Sequence, residues 1–363
     1  MSLGVLGLLI VIVAILSWSL AFSSRFWAKK LGAIDQPRGG RKIHKKPTPL
    51  FGGLGIGLTL IVTISALFAL NVIPLQGINP LQITGFLLGV VVLMIGGLLD
   101  DRFDLSPKIQ IIFPILAALL IIASGTSIDH VTHWIGHGAY SLIWWTLPGS
   151  LFGVHGGLDM PADFITFIWL LAVMYAMKFL DGLDGLVAGQ TIIGAGLITA
   201  LALSHTFFQP AVALLALIVL AAFLGFLPHN LHPAKQFLGE AGSLIAGFSL
   251  GFLSIVSGAK VATALMAIGL PLADASLVVF GRLIRGASPF RGDDTHLHFK
   301  LLKAGLSQRH VVGILWAIAL LFGLAAFGVQ TRGKVLLLIV LVGVTILLPF
   351  FVRLMRRSRI PKV

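Results

Sequence analysis

Cysteine is absent from the 363 residues, so this chain has neither a disulfide framework nor a thiolate metal site. Charge is scarce: 11% of residues carry it, where a soluble domain has about 25%. Acid is scarcest, with 13 carboxylates and a lone glutamate, Glu240. The apolar runs are continuous and lack period-two alternation, which excludes a transmembrane β-barrel. The first run, Leu3 to Phe22, has no positive segment ahead of it and no clear small-residue cleavage site. It therefore reads as a retained span rather than a signal peptide.

What the chain does have is hydrophobic residues, at 57%, in runs near 20 residues long. That is the length that crosses a bilayer as a helix. The expectation is an all-α polytopic membrane protein of one domain over 1–363, with about eleven spans. They are placed at 3–22, 51–70, 83–99, 109–124, 164–178, 188–205, 210–227, 243–258, 262–284, 310–329 and 334–352. With these spans, 23 of the 26 Lys and Arg residues fall on one side, leaving Lys260, Arg332 and Lys334 on the other. The positive-inside rule then puts the N-terminus outside and the C-terminus in the cytoplasm of a multi-pass inner (plasma) membrane protein. The net charge of +13 would point to nucleic acid in a soluble protein. Here topology accounts for it, and no nucleic-acid partner is expected.

The rare carboxylates gather at span ends on the cytoplasmic side, where unpaired charge is costly. Asp100-Asp101-Arg102-Phe103-Asp104 runs into Leu105-Ser106-Pro107-Lys108, and on a helix Asp101 and Asp104 share a face. Asp181-Gly182-Leu183-Asp184-Gly185-Leu186 follows Lys178, and at i, i+3 spacing its two Asp residues also share a helical face. Glu240 lies in Phe237-Leu238-Gly239-Glu240-Ala241-Gly242-Ser243, shortly after Lys235. Hard oxygen ligands of this kind suit Mg²⁺, which is usually held by one or two carboxylates plus substrate phosphates.

Further candidates flank these clusters. Lys46 precedes Pro47-Thr48-Pro49-Leu50-Phe51-Gly52-Gly53 at the entry to the second span, and basic residues there can hold a phosphate at the bilayer surface. Arg291, His296 and His298 lie in a polar loop near 285–309 that reads as a lid or substrate clamp. Asp274 is a lone intramembrane carboxylate, with Arg282 and Arg285 as its sequence-near cations. On the outer side, 125–163 carries His133 and His137 at i, i+4. A metal there is conceivable, but an amphipathic interfacial segment with Trp134, Trp144 and Trp145 at the headgroups is the preferred reading.

Taken together and in order, five motifs resemble the polyprenyl-phosphate N-acetylhexosamine-1-phosphate transferase family. They are Pro-Thr-Pro-x-x-Gly-Gly at 47–53, Asp-Asp-x-x-x-Leu-Ser-Pro-Lys at 100–108, Asp-Gly-Leu-Asp-Gly-Leu at 181–186, His-Pro-Ala-Lys-x-Phe-x-Gly at 232–239 and His-x-His at 296–298. The resemblance implies transfer of a sugar 1-phosphate from a UDP-N-acetylhexosamine to a polyprenyl phosphate, with release of UMP. The span layout and the His-x-His form look like the N-acetylglucosamine-1-phosphate branch. The phospho-N-acetylmuramoyl-pentapeptide branch is less close, and a polyprenyl-lipid transporter or an inactive relative are the rival classes. The implied cofactor is Mg²⁺, with Mn²⁺ able to substitute, held by Asp184 and Glu240 with Asp101 nearby. Asp100 is the implied base, in a weak role, because a phosphate monoester with a second pKa of about 6 is already mostly ionised. Lys46, Lys108, Lys178, Asp181, Lys235, Arg291, His296 and His298 are the implied substrate contacts. Dimers are common in the family, so a homodimer enters the expectation. Three positions depart from the family pattern: Lys178 where Asn is common, Glu240 where Asp is common, and Phe299 where a further His is common.

Overall fold

A computed structural model of the chain describes residues 3–37, 46–75, 77–133, 138–148, 157–205, 207–257, 261–287 and 294–357. Side chains of 3, 148, 261–267, 331, 356 and 357 lie outside that description. The helices, in order, are α1 (Leu3–Leu31), α2 (Gly52–Ala69), α3 (Pro80–Phe103), α4 (Pro107–Gln110), α5 (Ile112–Ala123), α6 (Ala162–Leu180), α7 (Leu186–Ala202), α8 (Pro210–Asn230), α9 (Gly239–Val256), α10 (Val261–Ile284), α11 (Leu297–Lys303), α12 (Gln308–Ala325) and α13 (Thr331–Arg357). Each predicted span falls largely on one of these helices. Among the described residues, eight helices are long and apolar enough to cross a membrane, and Pro107–Ala123 and Leu186–Ala202 are shorter apolar pieces. The chain is a polytopic helical membrane protein.

Helix boundaries follow local chemistry. Pro80 opens α3 behind Asn79, whose side chain accepts from Leu81 N while Gln82 reaches back to Asn79 N, a reciprocal cap. α3 stops where Asp104 turns left-handed at φ 53. α8 likewise opens on Pro210. α8 and α9 form the centre: 78% and 83% of their most apolar stretches are buried, against 17% for α1 and for α13. The outer helices leave Leu8, Val11, Ile12 and Ile15 of α1 and Leu336, Ile339 and Val340 of α13 exposed. A water-soluble protein does not spread so much apolar surface around its periphery; lipid is the solvent that fits.

The backbone of α9 is approached unusually closely at its start. A β-carbon on Gly53 would lie 2.2 Å from Gly242 N, and one on Gly97 2.2 Å from Ala241 N. Only glycine lets α2 and α3 come this near. Gly52 N and Gly53 N donate to Phe237 O and Leu238 O at 3.1 and 2.8 Å, and Phe237 N donates to Pro49 O at 2.9 Å. The 47–53 and 237–242 motifs are thus two sides of one backbone contact. Short strands β1 (Ile34–Asp35) and β2 (Thr48–Pro49) pair antiparallel and tie the end of α1 to the start of α2.

Within 125–163 the described residues include two pairs of short strands. β3 (His130–Thr132) pairs with β4 (Ala139–Ser141), and β5 (Ile143–Pro148) with β6 (Gly157–Pro161). His133 sits at the end of β3, where its N–H donates to Gly138 O at 3.1 Å. His137 and Trp134 lie outside the described residues. Tyr140 and Trp144, β-forming aromatics on exposed strands, explain the outcome.

Candidate functional site

The connections after α3, α6 and α8 and before α11 meet at one end of the bundle. At the end of α3, Asp100 holds its own loop: its Oδ1 accepts from Leu105 N at 3.0 Å and from Gln110 Nε2 at 2.6 Å. Asp101 points across to α9, where its Oδ1 accepts from Glu240 N at 2.9 Å. Gly239, at φ +72, makes room for this carboxylate, since a β-carbon there would meet Asp101 Oδ2. Asp101 Oδ2 itself is buried without a hydrogen-bond partner. Asp104 leaves the helix and is exposed, so the expected shared face with Asp101 is not formed.

Asp181 and Asp184 do not share a helical face either. α6 ends at Leu180, and residues 181–185 form a tight turn closed by Gly185 at φ +80. The turn sends the two carboxylates to different tasks. Asp184 Oδ2 meets His232 Nδ1 at 2.7 Å and accepts from Ala234 N at 3.1 Å. Gly185 N donates to Asn230 Oδ1 at 3.1 Å, and Arg309 Nη2 to His232 O at 3.1 Å. The 181–186 and 230–239 motifs are therefore cross-linked by side chains. Asp181 is open to water at the surface of the same group. The protein packed around it, and next the carboxylates of Glu240 and Asp184, push its carboxyl above the usual range. Solvent at its exposed face screens part of this effect.

Between these turns, Lys178 Nζ lies 2.5 Å from Glu240 Oε1 and 3.2 Å from Gln110 Oε1. Gln110 joins Asp100 to Lys178 and was missed in the sequence; its only signal is its place two residues after Lys108, at the mouth of a span. His232 is a second missed residue, visible only as the first letter of its motif. Lys46, Lys108 and Lys235 are exposed at their loops, free of the apolar packing that would pin a long cationic side chain.

The loop before α12 departs from expectation. His296 and His298 are buried, so in this structure neither offers its ring to a ligand. His296 Nδ1 meets Asp274 Oδ2 at 2.9 Å, and Leu297 N donates to Asp274 Oδ1 at 2.8 Å. His296 is thus the partner of Asp274, in place of Arg282 or Arg285. The turn into α11 brings it there, whereas Arg282 lies about two helical turns along α10 and Arg285 just past its end. Both ring nitrogens of His298 are buried without partners, beside Gly182 of the Asp turn. Burial lowers its pKa to about 4, so the ring is neutral. Arg291 lies outside the described residues.

An apolar groove of about 540 Å³ runs between α1, α2 and α3. Leu20, Trp27, Leu54, Leu58 and Leu98 line it, and Arg102, next to Asp101, stands at its end.

The sequence pattern of glycosyl transferase family 4 matches residues 83–258. That stretch runs from α3 to α9 and contains Asp100, Asp101, Lys178, Asp181, Asp184 and Glu240. A probable undecaprenyl-phosphate N-acetylglucosaminyl 1-phosphate transferase of Bacillus subtilis (strain 168) is 30% identical over 306 residues, covering 82% of this chain and 78% of the relative. The chain belongs to glycosyl transferase family 4. Two other members show how far the likeness reaches. A decaprenyl-phosphate N-acetylglucosaminephosphotransferase of Mycobacterium tuberculosis (strain CDC 1551 / Oshkosh) is 32% identical, covering 94% of this chain and 88% of the relative. An undecaprenyl-phosphate alpha-N-acetylglucosaminyl 1-phosphate transferase of Escherichia coli (strain K12) is 27% identical, covering 85% and 79%.

The donor chemistry of this family 4 site suits a hard divalent cation: oxygens only, one of them the unpartnered Asp101 Oδ2. The three expected ligands are nonetheless engaged within the protein: Glu240 by Lys178, Asp184 by His232, and Asp101 Oδ1 by Glu240 N. Among the described residues, no group of three His, Asp or Glu side chains is arranged as a ready metal site.

Proposed function

We infer that this enzyme transfers N-acetylglucosamine 1-phosphate from UDP-N-acetylglucosamine to a polyprenyl phosphate, undecaprenyl phosphate being the acceptor of choice. The product is a lipid-pyrophosphate-linked sugar, which serves cell-envelope glycan synthesis. One observation carries the reading: loops far apart in sequence bring Asp100, Asp101, Lys178, Asp184 and Glu240 to one end of an apolar bundle in a family 4 member. An oxygen of the lipid phosphate bonds to the β-phosphorus of the donor. The bond from that phosphorus to the bridging oxygen breaks, and UMP leaves with the bridging oxygen. No net proton is needed, so Asp100, already committed to its loop, has little to do as a base. Positioning and charge neutralisation carry such a transfer.

Lys46, Lys108 and Lys235 are proposed to meet phosphate oxygens, and Asp184, oriented by His232, to order the reacting end. Mg²⁺, or Mn²⁺ in its place, is the proposed cofactor; Asp101, Asp184 and Glu240 are its holders, and it supplies charge neutralisation on the diphosphate. The α1–α3 groove suits an isoprenoid chain, with Arg102 suited to its phosphate. The proposed topology has eleven crossings of the inner membrane with the site on the cytoplasmic side, as the Lys and Arg distribution favours.

The test is UMP release by purified protein in detergent with undecaprenyl phosphate, Mg²⁺ and, in parallel, UDP-GlcNAc, UDP-GalNAc or UDP-MurNAc-pentapeptide. Release is expected with UDP-GlcNAc. Asp184→Asn is expected to lower kcat by roughly 10²-fold or more, the loss typical of one preorganised electrostatic group. Release with another donor reassigns the sugar, and none with any donor from folded protein rejects the reading.

A further inference from the structure

Lys178 puts its ammonium against the Glu240 carboxylate, one of the three expected metal ligands. Its ammonium contacts Glu240 at 2.5 Å and Gln110 at 3.2 Å, and lies 5.5 Å from the ring centroid of Tyr175. Gln110 carries the contact on to Asp100. Asp101 and Asp181 face the same group, and both interact with Glu240. The side chains of Lys178 and Glu240 are only 21% and 13% exposed, so the pair is held in place rather than wandering on the surface. Lysine presents a compact point charge with three donors, the closest a side chain comes to a small metal ion. Its partner is the carboxylate of a residue whose own N–H fixes Asp101. The orphaned Oδ2 of Asp101 shows that this ammonium leaves part of the acidic group unsatisfied.

We propose that Lys178 is a tethered cation on the Glu240 side of the acidic group, competing with a divalent metal for the Glu240 carboxylate. The free protein then binds a divalent ion weakly, and the ion arrives with the diphosphate of the donor. The first statement concerns the protein alone; the second rests on the proposed reaction. Lys178 acts here as a positioning residue.

The test is Mn²⁺ binding to the purified full chain in detergent at pH 7, without nucleotide, read by electron paramagnetic resonance of free Mn²⁺. Lys178→Met is expected to bind Mn²⁺ about tenfold tighter than the unmodified protein, as removal of a competing unit charge predicts. Lys178→Arg, which keeps the charge, should bind as weakly as the unmodified protein. Lys178→Met combined with Glu240→Gln should lose the gain. Thermal unfolding of each variant with and without Mg²⁺ supplies a second readout. The midpoint of Lys178→Met should rise with Mg²⁺, and that of the unmodified protein should not. Equal Mn²⁺ affinity in folded Lys178→Met and unmodified protein overturns the proposal, as does tight binding by the unmodified protein that Lys178→Met weakens. UMP release is measured separately, so loss of the reaction and loss of this competition are told apart.

Discussion

At the scale of single residues, the site is a set of side chains that hold one another. Two of the three departures from the family pattern, Lys178 and Glu240, prove to be the ends of one ion pair. His298 shows how burial sets chemistry. An unfolded chain gives histidine a pKa near 6.5, and the folded site lowers it to about 4. Between those values the unfolded chain binds the extra proton, so stability rises with pH through that window. His298 contributes its full share above about pH 6.5 and loses it as pH falls toward 4. Replacing it, as in His298→Gln, is expected to flatten the fall of the unfolding midpoint between pH 6.5 and 4.5. An unchanged slope in detergent-solubilised protein would reject this account.

At the scale of elements, glycine contacts bring α2 and α3 against α9 and place Asp101 beside Glu240. Two of these helices, α2 and α3, form the apolar groove with α1, and Arg102 stands at its end. A bulky residue in that groove should obstruct a prenyl chain without touching the nucleotide. Leu98→Trp is expected to raise KM for undecaprenyl phosphate by about tenfold with KM for UDP-GlcNAc nearly unchanged, the signature of lost binding at one substrate. Equal effects on both would assign the groove to packing alone. The turn at 181–185 makes a complementary point. An i, i+3 spacing reads as a helical face only while the helix continues, and here α6 stops at Leu180 with Asp181 as its cap.

At the scale of the whole molecule, the connections bearing the scarce acid converge at one end, and the two hairpins of 130–161 occupy the connection between α5 and α6. The absence of cysteine makes the orientation directly testable. A single cysteine at Ser106→Cys should resist a membrane-impermeant maleimide in intact cells and react after permeabilisation. One at Thr132→Cys should react in intact cells. The reverse pattern would invert the proposed topology.

The linear sequence was enough to determine the membrane class, the helices and the order of the motifs. Runs such as 83–99 and 210–227 must be helical in a bilayer, because no water is present to satisfy a backbone left open there. It was also enough to mark Asp101, Asp184 and Glu240, because charge at a span end is costly and stands out from an apolar background. Pairing was decided only by the tertiary structure. Lys178 and Glu240 are 62 positions apart, Asp184 and His232 48, and Asp274 and His296 22. Local spacing reports neighbours within a turn or two of helix, so it named Arg282 and Arg285 for Asp274 and missed Gln110. Which carboxylate meets which cation depends on how the helices pack, and that rests on close approaches at Gly53 and Gly97 that no local pattern displays.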